Sequence, residues 1–257
     1  MTKGFLLGWL VGTALVAVLF LFFHGPIIQS DVYHNFALDH NIYGIDNAAN
    51  VLTNVGFLIV GFIGLLKFTQ IKSSDERSAP IMLFVLFAGI FLTGMGSAHY
   101  HLYPSNQTLF WDRLPMTLVF VSLFSLVGWR YVSRNVFSMV FPISVLLGIF
   151  SVLLWQYGGE GFGGGDLRYY VYVQYFPLIA IPIILIFQPW REGKLLWIAF
   201  GFYVLAKSFE MGDVWIAAIT NIAGHPIKHI CASLATVFIY RWTSRVFGAT
   251  EAGGRAF

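Results

Sequence analysis

The chain is built around apolar runs of about 20 residues, and a helix of that length crosses the hydrocarbon core of a bilayer. Hydrophobic residues make up 58% of the sequence, charged residues only 11%, and the mean hydropathy is +0.74. These values are far more apolar than those of a soluble domain. The runs predict membrane spans at residues 5–23, 47–66, 80–98, 114–129, 136–155, 169–187, 195–219 and 226–242. The predicted fold class is all-α, a polytopic membrane protein in which a seven-helix bundle follows one N-terminal helix.

The first run resembles a secretory signal but lacks a cleavage site. Lys3 precedes it, and the residues after Phe23 are His24-Gly-Pro-Ile rather than small residues in the spacing that signal peptidase requires. We therefore expect an uncleaved signal anchor. The predicted organisation is a signal-anchor helix at 1–23, an exterior cap segment at 24–46, a seven-helix bundle at 47–243 and a cytoplasmic tail at 244–257.

Lysine and arginine are divided unequally between the two sets of loops, and this bias predicts the orientation in the membrane. With the N-terminus in the cytoplasm, the cytoplasmic loops collect Lys3, Lys67, Lys72, Arg77, Arg130, Arg134, Arg191, Lys194, Arg241, Arg245 and Arg255. The exterior loops hold only Arg113, Arg168 and Lys228. Both termini are thus expected in the cytoplasm. The isoelectric point near 9.0 reflects these basic loops and does not indicate nucleic-acid binding.

Polar residues at two predicted helix ends share the spacing of one helical turn. Ser97 and His101 are four residues apart, as are His225 and His229, so each pair lies on one face of its helix. Asp112 begins the next span at a similar depth. Three imidazoles with a water in the fourth position form a well-attested catalytic zinc site. Because the chain has a single cysteine, nitrogen ligands are favoured over a thiolate cage.

Two other interpretations of these residues remain open. Each histidine could be an interfacial or hydrogen-bonded side chain at a helix mouth. Ser97, His101 and Asp112 could also form a hydrolase triad. That triad leaves His225 and His229 without a role, and Ser97 lacks the strained Gly-x-Ser-x-Gly turn of a serine nucleophile.

The remaining polar residues inside the predicted spans are expected to serve structure. His99 faces away from the Ser97 and His101 side of its helix. Lys207 and Glu210 are three residues apart and predict an ion pair, with Asp213 in the same polar set. Three asparagines in the second span are expected to form interhelical hydrogen bonds: Asn47, Asn50 and Asn54.

Taken together, these motifs resemble those of the alkaline ceramidases. Ser-x-x-x-His ends one helix, Asp begins the next and His-x-x-x-His opens the last, over residues 47–242. That family lies within a group of seven-helix membrane hydrolases that also includes adiponectin receptors and GPI-anchor remodelling lipases. The resemblance implies zinc on His101, His225 and His229, with Asp112 holding or deprotonating the zinc water and Ser97 near the developing oxyanion.

The exterior segment departs from the eukaryotic alkaline ceramidases. Those proteins carry a calcium-binding Asp-Trp-x-Glu stretch before the first bundle helix, whereas this chain has Asp31-Val-Tyr-His-Asn-Phe. Calcium is a secondary prediction, with oxygen ligands available from Asp31, Asp39, Asp46 and Asn47. The added anchor helix and the Tyr-His-Asn-Phe segment look more like bacterial members, which predicts a bacterial inner-membrane protein.

The sequence therefore predicts an intramembrane zinc amidase that cleaves a ceramide-like membrane lipid to a sphingoid base and a fatty acid. Two alternatives stay open: a seven-helix lipid receptor or sensor with a structural zinc, and a lipid esterase of the same group. A transporter is disfavoured because it should carry ionisable residues along a path through the membrane. Here those residues cluster in the exterior half of the spans.

Overall fold

The computed structural model describes residues 2–38, 41–68 and 78–248, and the regular structure within these ranges is helical. Because a backbone in lipid has no water to bond, helices satisfy its N–H and C=O groups internally. The helices are α1 Lys3–His24, α2 Ala48–Leu52, α3 Val55–Phe68, α4 Ser78–Leu102, α5 Asn106–Tyr131, α6 Arg134–Tyr157, α7 Arg168–Phe187, α8 Gly193–Met211, α9 Asp213–Thr220 and α10 Gly224–Phe247. A short 3-10 helix at Asp31–His34 lies between α1 and α2.

Six helical segments in the described ranges are long and apolar enough to cross a membrane, or up to seven if α8 and α9 count as one span. The membrane class predicted from the sequence is confirmed at this level. The helix α10 is not among them, since polar residues occupy its first turns and Arg241 and Arg245 its last. The count of eight spans and the signal anchor stay predictions.

Two predicted spans are interrupted. Residues 47–66 form α2 and α3, which are separated at Thr53 and Asn54. Residues 195–219 break at Gly212, where α9 turns away from α8 by 75°. The predicted span at 195–219 did not include this bend, and α8 and α9 count as one span only if the bent pair crosses the membrane together. With 19 residues, α8 is already about 28 Å long, close to the thickness of the hydrocarbon core.

Close helix packing at α4 and α5 depends on a small residue. A Cβ atom at Gly96 would lie only 1.9 Å from the carbonyl oxygen of Trp111, so glycine lets the two backbones touch. This contact lies beside Ser97 and Asp112. The packing of α4 against α5 thus brings together two residues that the sequence analysis singled out.

Two ends of the bundle can be distinguished. We call the end where α4 finishes and α10 begins the histidine end, and the other the opposite end. The cap segment, described over 25–38 and 41–46, covers the histidine end and is bonded to it by several hydrogen bonds, two of which use main-chain N–H groups of the cap segment. Ile27 N–H donates to Asp166 Oδ1 at 3.1 Å, and Ala37 N–H donates to Asp213 Oδ2 at 3.0 Å.

Candidate metal centre

Three histidines meet at the histidine end. His101, His225 and His229 are 1%, 6% and 3% exposed, and each offers a ring nitrogen within 4.8 Å of the others. Nε2 of His101 lies 3.2 Å from Nε2 of His229. The residues brought together are those implied by the resemblance, and a buried group of this kind could hold a metal ion.

The local sequence explains how α10 presents two of these rings. His225 and His229 occupy successive turns of one face. Pro226 is tolerated in the first turn, where its missing N–H would have had no helical partner. The N–H of His225 is free of the helix ladder for the same reason, and it donates to Asp213 Oδ1 at 2.9 Å. Asp213 thus acts as a cap for α10.

The close approach of α10 to α8 depends on Gly224, the first residue of α10. A Cβ atom at Gly224 would lie 2.5 Å from the carbonyl oxygen of Phe209 on α8. Glycine therefore lets the beginning of α10 rest against the end of α8. This contact sets the depth at which His225 enters the bundle.

Neighbouring side chains hold the rings in place. Thr53 Oγ1 lies 3.0 Å from His229 Nδ1, which is within hydrogen-bond distance. The ring of Phe36, from the cap segment, packs against His101 and His225 at centroid distances of 4.8 and 4.9 Å. Nδ1 of His101 is buried and has no hydrogen-bond partner in the described part of the chain. Metal ligands commonly carry such a second partner on the other ring nitrogen, and here His229 has one.

The spacing of the nitrogens suits a metal ion. In a tetrahedral site with zinc–nitrogen distances of about 2.0–2.1 Å, two ligand nitrogens lie roughly 3.3 Å apart. The 3.2 Å between His101 and His229 is close to that value. Nε2 of His225 instead lies 2.9 Å from Lys228 Nζ. Metal binding through this nitrogen would require Lys228 to turn toward Glu210, whose Oε1 it already contacts at 3.1 Å.

Ser97 and Asp112 lie beside the histidines but outside the three-nitrogen group. Ser97 precedes His101 by one turn of α4 and is 4% exposed, and its hydroxyl is within reach of the Asp112 carboxyl group. Asp112 is about two turns into α5, deeper in that helix than the sequence predicted. His101 faces His229 rather than Ser97. The described geometry therefore does not form a Ser97–His101–Asp112 relay.

Lys228 is the site residue that sequence reasoning missed. It lies in the wall of the same cavity as Asp112, contacts His225 and pairs with Glu210. Glu210 also pairs with Lys207 at 2.5 Å, which confirms that predicted ion pair. Asp213 does not join this set, because both of its carboxylate oxygens accept backbone N–H groups. The sequence did contain one indication of this contact: Lys228 follows His225 by three residues, a spacing that places both side chains on the same face of a helix.

The other histidines have separate places. His99 is exposed, and its ring contacts Tyr103, so it lies away from the metal group as predicted. His34 bonds Tyr100 OH at 2.9 Å and Asn106 Oδ1 at 3.0 Å. His24 ends α1, and its Nδ1 lies 3.3 Å from the carbonyl oxygen of Gly25. His40 lies outside the described residues.

The asparagines and the predicted calcium ligands differ in outcome. Asn47 donates to the carbonyl oxygen of His101 at 3.2 Å, as the interhelical prediction required. Asn54 instead donates within its own segment, to the carbonyl oxygen of Asn50 at 2.8 Å.

Among the predicted calcium ligands, Asp46 accepts a hydrogen bond from the side chain of Asn41. Asp31 is on the 3-10 helix and Asp39 lies outside the described residues, so the calcium set stays a prediction.

A cavity of about 330 Å³ opens from the metal group into the bundle. Ser97, Asp112 and His229 belong to its polar wall, together with charged residues that include Arg113 and Glu210. It continues between α7 and α8, which touch at few places, and reaches Ile181 and Leu196. Most of this lining is apolar. The cavity therefore joins polar chemistry at the histidine end to an apolar channel inside the membrane segments.

No known protein family matches the chain, and no curated protein is similar enough to match it. Its function is therefore inferred from the residues of the site.

Proposed function

We propose that the chain is an intramembrane zinc-dependent hydrolase that cleaves the amide bond of ceramide-like lipids to a sphingoid base and a fatty acid. In this proposal its reaction is of the same type as that of the alkaline ceramidases, which its motifs resemble. One observation supports it above others: a group of three buried histidines meets a mainly apolar cavity through His229, and the polar wall of that cavity carries Asp112 and Ser97.

Zinc is the metal that the donor set favours. His101, His225 and His229 are nitrogen donors without thiolate, and the closest nitrogens have a spacing suited to tetrahedral coordination. When bound there, zinc supplies a Lewis acid that polarises a carbonyl group and lowers the pKa of water. The imidazoles would have to be neutral to bind it, and their burial in the bundle favours that form.

Asp112 is positioned to move a proton. Its carboxyl group lies in the cavity wall beside the histidines, so in the proposed reaction it accepts a proton from water and returns it to the leaving amine. Ser97 is one turn from His101 and reaches the same wall. Its hydroxyl is a donor for the negative charge that develops on the carbonyl oxygen.

The cavity supports a lipid as the substrate. Its volume of about 330 Å³ is at the lower end of the range for small-molecule sites, and its walls beyond the polar end are formed by residues such as Ile181, Leu196 and Ile239. A lipid chain would lie there while the scissile bond stays at the histidine end. A lipid amide near the membrane surface meets both requirements.

The orientation belongs to the same proposal. Basic residues such as Lys67, Arg134 and Arg245 belong to the opposite end of the bundle. By the positive-inside rule that end faces the cytoplasm, which directs the histidine end to the exterior of a bacterial inner membrane.

Hydrolysis of a short-chain ceramide in detergent micelles tests the function, with release of fatty acid as the readout. Asp112→Asn is expected to lower turnover on the order of a hundredfold or more, the usual scale for removing a positioned proton acceptor. Glu160→Gln also replaces a carboxylate with its amide, at an exposed position of the glycine-rich loop after α6, and it should retain activity. Full activity in Asp112→Asn would refute this mechanism.

Two further comparisons separate the alternatives. Ser97→Ala should be milder than Asp112→Asn if the hydroxyl only assists the oxyanion, whereas complete loss would indicate a serine nucleophile. A diacylglycerol tested in parallel identifies an esterase. Absence of hydrolysis of either lipid by zinc-loaded protein would favour the receptor.

A further inference from the structure

Arg113 is a buried cation in the wall of the lipid cavity. It follows Asp112 on α5, is 6% exposed, and lines the cavity at the histidine end. Its guanidinium carbon lies 4.3 Å from the ring centroid of Trp155, 5.0 Å from that of Tyr170 and 5.5 Å from that of Tyr33. Cation–π contacts on three sides hold the group in place.

One nitrogen of this guanidinium has no partner. Nη2 donates to Gln29 Oε1 at 2.6 Å, but Nη1 is buried and makes no hydrogen bond in the described part of the chain. Lys207 and Lys228, the other cations of the cavity, both pair with Glu210. Arg113 forms no ion pair with any described residue. A buried charged donor left unused is costly, so such a group usually meets a ligand or water.

The charges of the cavity wall point to the sign of that ligand. Three cations line it, Arg113, Lys207 and Lys228, against two carboxylates, Asp112 and Glu210. The wall is therefore one positive charge in excess, and a metal ion at the histidines would increase the excess. An anionic group at Nη1 would neutralise it and accept a charge-assisted hydrogen bond.

We propose that Arg113 forms a head-group subsite for an N-acyl lipid that carries an anionic group, a carboxylate, phosphate or sulfonate, a few bonds from its amide. The separation is short because both side chains line the same cavity, where the charge of Arg113 acts on the Asp112 carboxyl group. An anion at Arg113 therefore binds in the cavity that would hold the amide at Asp112. The subsite deepens the proposed function, since it names a class of substrate for the same cavity.

The cap segment completes this subsite. Gln29 and Tyr33 both belong to the cap segment, and both contact the guanidinium from the side opposite α5. Trp155 and Tyr170 come from the end of α6 and the beginning of α7. Because the guanidinium is already ordered by these contacts, a ligand gains its bond without immobilising a flexible side chain.

Binding of three probes with one chain length tests the proposal. N-Lauroylglycine carries a carboxylate, N-lauroylethanolamine carries a hydroxyl in its place, and laurate represents the anionic product. Dissociation constants are measured with the purified protein in uncharged detergent, from tryptophan fluorescence in the first moments after mixing. The protein should bind N-lauroylglycine on the order of tenfold or more tightly than N-lauroylethanolamine, as expected for a charge-assisted bond.

Substitutions assign the preference to the guanidinium. Arg113→Gln should bind the two amides equally, and Arg113→Lys, which keeps the charge but loses the planar fork, should retain part of the preference. Arg130→Gln makes the same change at the opposite end of the bundle, outside the cavity lining, so its preference should equal that of the unchanged protein. If Arg113→Gln does not fold, the preference of Arg113→Lys, compared with that of Arg130→Gln, still tests the role of the guanidinium.

Three results would overturn the subsite: no preference in the unchanged protein, an undiminished preference in both Arg113 variants, or loss of the preference in Arg130→Gln. If the affinity for laurate depends on Arg113 and the affinity for N-lauroylglycine does not, Arg113 binds the carboxylate of the fatty-acid product. That result also refutes a head-group role. Binding is read independently of turnover. Failure of ceramide hydrolysis therefore leaves the binding ratio interpretable, and failure of the binding preference leaves the hydrolase proposal untouched.

Discussion

The two ends of the bundle are held together by different kinds of contact. At the opposite end the packing is aromatic: Trp242 is fully buried and its indole N–H donates to Tyr131 OH at 3.0 Å. Phe68 and Phe87 stack at 5.1 Å nearby. Such contacts are broad and weakly directional, so they stabilise the helices without fixing individual atoms.

At the histidine end, polar contacts determine position. Asp213 joins the cap segment to the first turn of α10, Thr53 contacts a ring of the metal group, and His34 contacts Tyr100 and Asn106. Buried polar groups are expensive inside a membrane and are usually functional. Buried atoms without a partner occur toward both ends, but at the opposite end they are hydroxyl groups such as Ser244 Oγ, whereas at the histidine end they include a ring nitrogen of His101. The comparison teaches that directional polar contacts, rather than unfilled bonding capacity alone, distinguish the end that carries the histidine group.

The largest expected effect is loss of the metal when one of the three histidines at the histidine end is removed. Because His229 contributes one of three ligand nitrogens, His229→Ala should abolish binding of about one zinc per chain, measured by elemental analysis after purification. His99→Ala is the matched control, since His99 is exposed and outside the group. Equal zinc in the two variants, or none in the unchanged protein, would eliminate the site.

Labelling determines which end faces outward. Glu160 is exposed in the glycine-rich loop after α6, at the histidine end, and Arg191 is exposed before α8, at the opposite end. In a Cys231→Ser background, Glu160→Cys should react with an impermeant thiol reagent in intact cells, whereas Arg191→Cys should react only after lysis. The reverse pattern would invert the proposed orientation.

Overpacking at the histidine end should be costly where helices touch. Gly96→Ala places a Cβ atom 1.9 Å from the backbone of Trp111, so the helices must separate at Ser97 and Asp112. We expect destabilisation of about 1–3 kcal/mol and a large fall in hydrolysis. The readouts are the thermal unfolding midpoint in detergent and turnover of ceramide.

Gly201→Ala is the control for that substitution. Gly201 is an exposed glycine of α8 with no atom within 4 Å of the added Cβ position. Alanine should be neutral or stabilising there by up to about 1 kcal/mol, since it is the better helix former. An unfolding midpoint for Gly96→Ala as high as that for Gly201→Ala would show that the α4–α5 contact is not tight.

Much of the fold and three of the site residues follow from periodicity. Apolar runs predict helices in lipid because no other open structure satisfies the backbone there. The four-residue spacing of His225 and His229 predicts a shared face, and the structure places His101 opposite them. Spacing predicts a face of a helix but not the partner it meets. For that reason the contact of Lys228 with Glu210 was missed.

The errors also have physical causes. The break at Gly212 lies in a segment whose average hydropathy stays high despite Lys207, Glu210 and Asp213, and that average does not register the Gly212-Asp213 signal for a new helix start. Asp213 was grouped with Lys207 and Glu210 by sequence distance. Its actual partners, Ala37 and His225, are set by the 75° bend, which hydropathy does not predict.

The smallest expected effect concerns a contact that holds the cap segment. Ionised Asp166 accepts bonds from the N–H of Ile27 at 3.1 Å, the N–H of Arg168 at 2.9 Å and the Arg168 guanidinium at 2.7 Å. Burial acts to raise the pKa of this carboxyl group. The hydrogen bonds and the charge of Arg168 outweigh burial, so the pKa is lowered in the folded protein.

The sign of the pH dependence follows from that lowered pKa. The stabilisation is fully present above the unfolded pKa, near 3.9 for aspartate, and is lost as the pH falls through the folded value. Because the pair is near the surface, Asp166→Asn should cost about 1 kcal/mol or less at pH 7. The difference in unfolding midpoint from the unchanged protein should shrink below about pH 4. A constant difference for Asp166→Asn down to pH 3 would mean that its charge does not hold the cap segment.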